Sequence, residues 1–367
     1  MRIKTLAATN FKNIADARLE FSSKANCFLG DNGMGKSNLL DAIYYLSFCK
    51  SFSGLPDGSI VRVGETFMTL RGTYERRGAD EEVAMGLQAG KRKSVRRGGK
   101  EYERLSAHIG VFPLVMVSPA DQELVSGSGE ERRRFMDQVI SQADALYLDH
   151  LIRYERALTQ RNRMLRDRIV DHHLYEAVEL TLARSAAYIT RARLRWVEEL
   201  TEIFRPVYAA IAADGETPAL ELKGHLAADP DSLPEQLDQC RRHDEAVGHT
   251  SVGTHRDDLS LWLNRLPVRR AASQGQCKSY TVALRLAQWT FLERSAGFKP
   301  LLLLDDVFDK LDARRVERLM EMVSGDRFGQ IFVTDTNRGH LDAIMERAGG
   351  DHRSWLVEDG AFTPNHS

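Results

Sequence analysis

Apolar positions recur with a period of two at both ends of the chain and with a helical period through its middle, which predicts a β-rich head interrupted by helices. At the start, "IKTLAATNF" and "ADARLEF" alternate inward and outward positions, and "ANCFL" (25–29) is a short continuous apolar run of the kind a buried strand shows. Two longer stretches, 58–78 and 81–102, alternate again between glycine-rich breaks and predict an antiparallel meander. "VFPLVMVSPADQELV" (111–125) reads as a buried strand that ends at Pro119.

From residue 129 to 247 the pattern is helical. "RYERALTQRNRMLRDRIV" puts Tyr154, Leu158, Leu165 and Ile169 on one face, and the segment 174–211 continues for about ten turns until Pro206 is expected to interrupt it. Alternation returns in "LSLWLNRLPVRR" (259–270), followed by a helix over 277–294, the strand "LLLLDD" and a last α/β segment with the strand "QIFVTDT". The expected organisation is an α/β head in two parts, 1–128 and 248–367, with a helical arm, 129–247, inserted between them. The late strands are expected in one sheet with the strand "ANCFL".

Chemistry concentrates where that strand ends. "FLGDNGMGKSNLLDAI" (28–43) fits G-x-x-x-x-G-K-[ST], with Gly30, Gly35, Lys36 and Ser37 at the fixed positions and Gly33 between them. Glycines let the backbone turn its N–H groups toward one point, and the following helix aims its unpaired N-terminal donors at the same point. Such a cradle, Gly30, Asp31, Asn32, Gly33, Met34, Gly35, Lys36, Ser37 and Asn38, suits a polyphosphate. Lys36 is the candidate for the β- and γ-phosphates and Ser37 for the Mg²⁺ between them. The plainer alternative is a glycine-rich turn between a strand and a helix, which by itself binds nothing.

Two further clusters bear on that choice. The leucine strand ends in Asp305 and Asp306: the first is a candidate metal ligand, the second a candidate for orienting an attacking water, and together they could equally be a solvated turn. In "ASQGQCKSY", Ser273 is placed to cap a helix, or, with Gly275 and Gln276, to present donors to the nucleotide of a second molecule.

Composition adds constraints. With 51 basic and 52 acidic residues, nucleic-acid contact must come from a local patch. "KRKSVRRGGK" (91–100) is such a patch, and Lys91, Arg92, Lys93, Arg96 and Arg97 are the candidate phosphate contacts, against the alternative of a charged hairpin edge that repels strand pairing. Arg132, Arg133 and Arg134 could face DNA or acidic residues of the fold or of a dimer partner, and His255 reads as structural. The four cysteines lack metal-ligand spacing, the N-terminus lacks a signal-peptide pattern, and no run is long enough to span a bilayer, so a reduced cytoplasmic location without membrane contact is expected.

Taken in order, "TNFKN", "GDNGMGKSNLLDAIYYLS", "SPADQELVSGSGEERRRFMD", "YERALTQRN", "GTHRDDL", "SQGQCK" and "LLLLDDVFDKLD" resemble the RecF family of bacterial recombination mediators, an ABC/SMC-type branch of P-loop ATPases. The resemblance implies an ABC/SMC-type head that binds ATP and Mg²⁺ at Gly30–Ser37. It makes Asp305 and Asp306 the Walker B pair, and has Ser273, Gly275 and Gln276 reach the γ-phosphate of a partner in an ATP-dependent homodimer. It also implies Asp312 near the dimer interface, and Asn10, Lys12 and Asn13 toward the nucleotide. Binding of single-stranded and gapped duplex DNA, and RecA loading with RecR and RecO, follow in the same way. The family pattern is not matched everywhere: Asp306 stands where many ABC ATPases carry glutamate, which points to slow hydrolysis. Gln122 follows Asp121 where a metal-sensing glutamine is sought, and Asp335 and Thr336 stand where a switch histidine is usual. A P-loop kinase and an SMC-like DNA clamp without hydrolysis are the rival readings.

Overall fold

The computed structural model describes residues 1–212, 215–308, 311–348 and 351–365. The chain forms two compact units, one of Met1–Asp121, Ala210–Ala212 and Lys278–Ser367, the other of Gln122–Ala209 and Ala213–Cys277.

The first unit is built on two six-stranded sheets. The meander expected from the alternation is one of them: Ile14–Glu20, Arg2–Phe11, Phe67–Arg76, Ala79–Gln88, Ser94–Arg97 and Lys100–Glu101 lie side by side, all antiparallel. The other runs Ala361–Pro364, His352–Glu358, Ala25–Leu29, Ile331–Asp335, Leu301–Asp305, Leu114–Val117, parallel throughout except for its C-terminal hairpin. The late strands thus share a sheet with "ANCFL", and Leu301 to Leu304 are completely buried, as a strand covered on both faces requires. Helix Lys36–Phe48 contributes Leu39, Ile43 and Leu46 to one core with Leu6, Phe11 and Leu70 of the first sheet and Phe28, Leu303 and Phe332 of the second. Eleven of its 13 residues are buried, so it is enclosed on nearly every side. A helix held this way fixes the loop at its N-terminus.

The second unit contains helices Gly129–Ala143, Ala145–Arg166, His172–Ile211 and Leu233–Val247 and a small sheet in the order Leu266–Pro267, Asp258–Leu263, Pro218–Lys223. Two expectations are corrected here. Pro206 does not interrupt its helix, which continues to Ile211. A proline inside a helix costs about 3 kcal/mol, and the turn around it buries Phe204, Val207, Tyr208 and Ile211, whose burial contributes about 1.5–3 kcal/mol each. The segment read as wholly helical also holds a strand, "PALELK", which alternates and pairs with Asp258–Leu263 over six residues.

Two buried arginines and a half-buried histidine hold this unit by charge and hydrogen bonding. Arg161, fully buried, donates to Glu179, Asp244 and Thr250. Arg193 donates to Tyr147, Asp137, Asp257 and the Thr254 carbonyl. His255 lies between the hydroxyl of Tyr154 at 2.7 Å and the carbonyl of Thr250 at 3.1 Å. Its Nε2–H donates to the carbonyl and Nδ1 accepts from the tyrosine, the neutral tautomer. Burial lowers the His255 pKa from 6.5 to about 4. Between those values the unfolded chain holds a proton that the folded one does not. This contribution to stability is therefore complete above pH 6.5 and falls as the pH drops toward 4. The His255→Gln variant is expected to flatten that part of the stability–pH curve in urea titrations at pH 4.5, 5.5 and 7; a wild-type curve with no fall over this window would refute the assignment.

Candidate nucleotide site

The loop after strand Ala25–Leu29 requires glycine at three positions, for three reasons. A Cβ on Gly30 would lie 2.5 Å from the carbonyl oxygen of Val357 on the neighbouring strand. Gly33 has φ +85°, and Gly35, with φ +110°, has its missing Cβ 2.7 Å from the Asn13 side chain. Asn13 ties the loop down: its Nδ2 donates to the Met34 carbonyl at 3.3 Å and its Oδ1 accepts from Asn38 Nδ2 at 2.7 Å. Gly360 N adds a bond to the same carbonyl at 2.8 Å. Asp31, Asn32 and Gly33 remain exposed.

Lys36 is only 3 % exposed, and its ammonium donates to the carbonyls of Gly30 at 2.6 Å and Asp31 at 3.1 Å. Among the described residues no carboxylate forms an ion pair with it. A buried cation whose hydrogen-bond partners are two neutral carbonyls, offset only by the Coulombic attraction of Asp305, is costly unless a further anion completes its environment. The preference of the loop for a phosphate follows.

Ser37, in the first turn of the helix, donates to Asp305 Oδ1 at 2.8 Å; Thr334, at the end of strand Ile331–Asp335, donates to the same oxygen at 2.8 Å. Three adjacent parallel strands, Ala25–Leu29, Ile331–Asp335 and Leu301–Asp305, thus deliver the loop, a hydroxyl and a carboxylate to one point. Burial raises the Asp305 pKa, while the two hydroxyls oppose that shift. Among the described residues no group of three or more His, Cys, Asp or Glu side chains could hold a metal ion. A Mg²⁺ held by Ser37 and Asp305 suits this set, because Mg²⁺ takes one or two protein ligands together with phosphate oxygens and waters. Bound there, it would neutralise charge on the phosphates. Asp306 follows in a left-handed conformation, φ +45°, with its N–H on the carbonyl and hydroxyl of Thr334. Aspartate adopts this conformation more readily than most residues.

The other candidates divide. Ser273 and Gln276 form a capping box: the Ser273 hydroxyl accepts from Gln276 N, and Gln276 Oε1 accepts from Ser273 N. Ser273 is exposed, Gly275 is half-buried in the first turn, and Gln276 Nε2 also holds Glu216 at 2.8 Å. Asp312 caps helix Ala313–Ser324 through Arg315 N, whereas Asp309 and Lys310 lie outside the described residues. Asn10 and Lys12 both have positive φ, and Lys12 pairs with Asp41 at 2.7 Å. Gln122 is exposed, while its neighbour Asp121 is buried against Arg285.

In the basic hairpin, Lys91, Arg92 and Arg96 are exposed. Lys93 instead turns inward to Tyr45, the Cys49 carbonyl and Asp57, at the C-terminal end of the helix that starts at Lys36. Arg97 pairs with Glu81. Arg132, Arg133 and Arg134 all turn to partners within their own unit: Asp258, the Asp257 carbonyl, and Glu130 with Glu131.

Two side chains at or next to the site are not singled out by the sequence. Thr334 carried one signal, a hydroxyl at the end of an apolar strand. His340, in the first turn of the helix after the late strand, has its Nδ1 2.8 Å from Asp335 Oδ2.

The chain is similar to known proteins over nearly its whole length. Residues 1–83 match the family model of the AAA ATPase domain. The DNA replication and repair protein RecF of Bacteroides fragilis is 47% identical over 99% of this chain and 98% of its own length. That of Porphyromonas gingivalis is 45% identical over 98% and 99%. Among solved structures, the recombination mediator protein RecF-ATPrS in the RecFOR pathway superposes with a TM-score of 0.89 at 26% identity, over 99% of this chain and 98% of the other. A Pyrococcus furiosus Smc head domain bound to the C-terminal domain of ScpA shares the fold, with a TM-score of 0.59 at 17% identity over 99% and 95%.

Fold and site together define a P-loop ATPase head of the ABC/SMC type. Within that class, the near-full-length identity decides the family: the chain belongs to the RecF family.

Proposed function

We propose that this chain is a cytoplasmic DNA repair ATPase that binds ATP and Mg²⁺ at Gly30–Ser37 and Asp305 and pairs head to head with a second copy across the nucleotide. The paired form holds single-stranded and gapped duplex DNA and assists RecA loading with RecR and RecO. The observation that carries the reading is the convergence of Lys36, Ser37, Asp305 and Thr334 at the ends of adjacent parallel strands. The names of the relatives support a role in replication and repair, and the ATPrS complex of one of them supports the nucleotide. Family membership leaves the kinase alternative without support.

In the dimer, Ser273, Gly275 and Gln276 act on the nucleotide of the other copy. The exposed hydroxyl of Ser273 is compatible with this, since the cap it makes is a local bond that can be exchanged. Light scattering with and without ATP·Mg²⁺ is the test. Doubling of mass is expected for the wild type and for neither Lys36→Ala nor Ser273→Arg. Binding of ATP without any change of mass in the wild type would refute the paired form.

A further inference from the structure

The small sheet of the second unit has an edge the proposed function does not use. Strand Asp258–Leu263 is paired along its whole length by Pro218–Lys223 on one side, but on the other Leu266–Pro267 reaches only Trp262 and Leu263. Among the described residues no strand lies beside that second edge from Asp258 to Leu261. An open cavity of ≈ 500 Å³ follows this strand and is bounded by Val125, Arg132, Pro267, Arg269 and Arg270. Open edges are normally covered or blunted because their free N–H and C=O groups pair with any extended chain.

The charges around the cavity narrow the partner. Arg132 is neutralised by Asp258, at 2.7 and 2.9 Å. Arg269 and Arg270 are exposed and form no ion pair among the described residues. Val125, Leu261 and Pro267 supply an apolar lining. An open edge, an apolar lining and two free guanidinium groups are together the recognition elements for an extended peptide with alternating apolar and acidic side chains. Nucleic acid fits less well. The aromatic ring at the cavity, Trp262, is already engaged: the Lys223 ammonium, which also lines the cavity, lies 4.9 Å from its centroid, and its Nε1–H is on Glu221, so the ring is not free to stack on a base.

We infer that this groove binds an extended acidic segment of a partner protein as an added strand on Asp258–Leu261, with the acidic side chains on Arg269 and Arg270. The probe is a fluorescein-labelled octapeptide alternating aspartate and leucine, titrated with the full chain and read by anisotropy, with the lysine–leucine peptide as control. The aspartate peptide is expected to bind and the lysine peptide not. Arg269→Glu with Arg270→Glu should weaken binding at least about tenfold, with an unchanged melting curve because both side chains are exposed. N-methylation of alternate peptide nitrogens should weaken it too, since backbone pairing requires them. Equal binding by the charge-reversed variant, no binding by the wild type, or displacement of the peptide by a thymidine oligonucleotide would each overturn the assignment.

Discussion

Asp305→Asn is expected to leave ATP binding measurable and to lower single-turnover ATP cleavage at least about a hundredfold. The physical basis is the difference between the two roles of one side chain. As a hydrogen-bond acceptor, Asp305 receives the hydroxyls of Ser37 and Thr334 at one oxygen. The amide oxygen of asparagine has two lone pairs and can receive both, so the local fold should persist. As a charge, the carboxylate is 7 % exposed and burial acts against its ionised form. Neutralising it should not lower stability. What the amide cannot do is offset the charge of a Mg²⁺ on the phosphates. Cleavage at the wild-type rate with a normal melting temperature would remove Asp305 from the metal site. A wild type that itself forms no product above background would favour the clamp without hydrolysis, and binding would then be the whole activity.

The cradle was legible because its chemistry is local. Loop spacing, the leucine strand with its two acids and the serine before a helix are each written in a few consecutive residues. Contacts contributed by distant segments were less so. Asn13 was suspected from "TNFKN", yet its role, filling the space beside Gly35 and tying Met34 to Asn38, depends on a turn more than twenty residues upstream. Thr334 becomes a site residue only because its strand lies between those of the P-loop and Asp305, an order that sequence position does not reveal. The contact of His340 with Asp335 is equally hidden, because it reaches back to the strand end from within the next helix.

The basic hairpin shows the same limit from the other side. Five cations form one patch in the sequence, but strand alternation and packing separate them, turning Lys93 and Arg97 to Asp57 and Glu81 and leaving Lys91, Arg92 and Arg96 outward. Pro206 stays within its helix for an energetic reason. Local propensity counts the lost hydrogen bond and not the apolar surface buried on the same turn.

Arg193→Leu should be the most destabilising single change in the second unit, at about 3–5 kcal/mol. The guanidinium is 1 % exposed and satisfies Asp137, Asp257, Tyr147 and the Thr254 carbonyl, groups contributed by three different parts of the chain. Leucine fills part of the volume but leaves the Asp257 carboxylate, itself 1 % exposed, without its cation. Lysine is not expected to rescue, because a single ammonium cannot span four acceptors set around a planar fork. Burial already raises the Asp257 pKa, and Arg193 is the largest opposing influence. Without the arginine the folded state takes up a proton that the unfolded chain releases at the same pH. The stability gap between variant and wild type should therefore narrow as pH falls toward the ordinary carboxylate range. Urea unfolding at pH 7 and pH 5 measures both effects. A loss below about 1 kcal/mol, the range of exposed ion pairs, would show that these carboxylates find other partners and that the network does not hold the unit together.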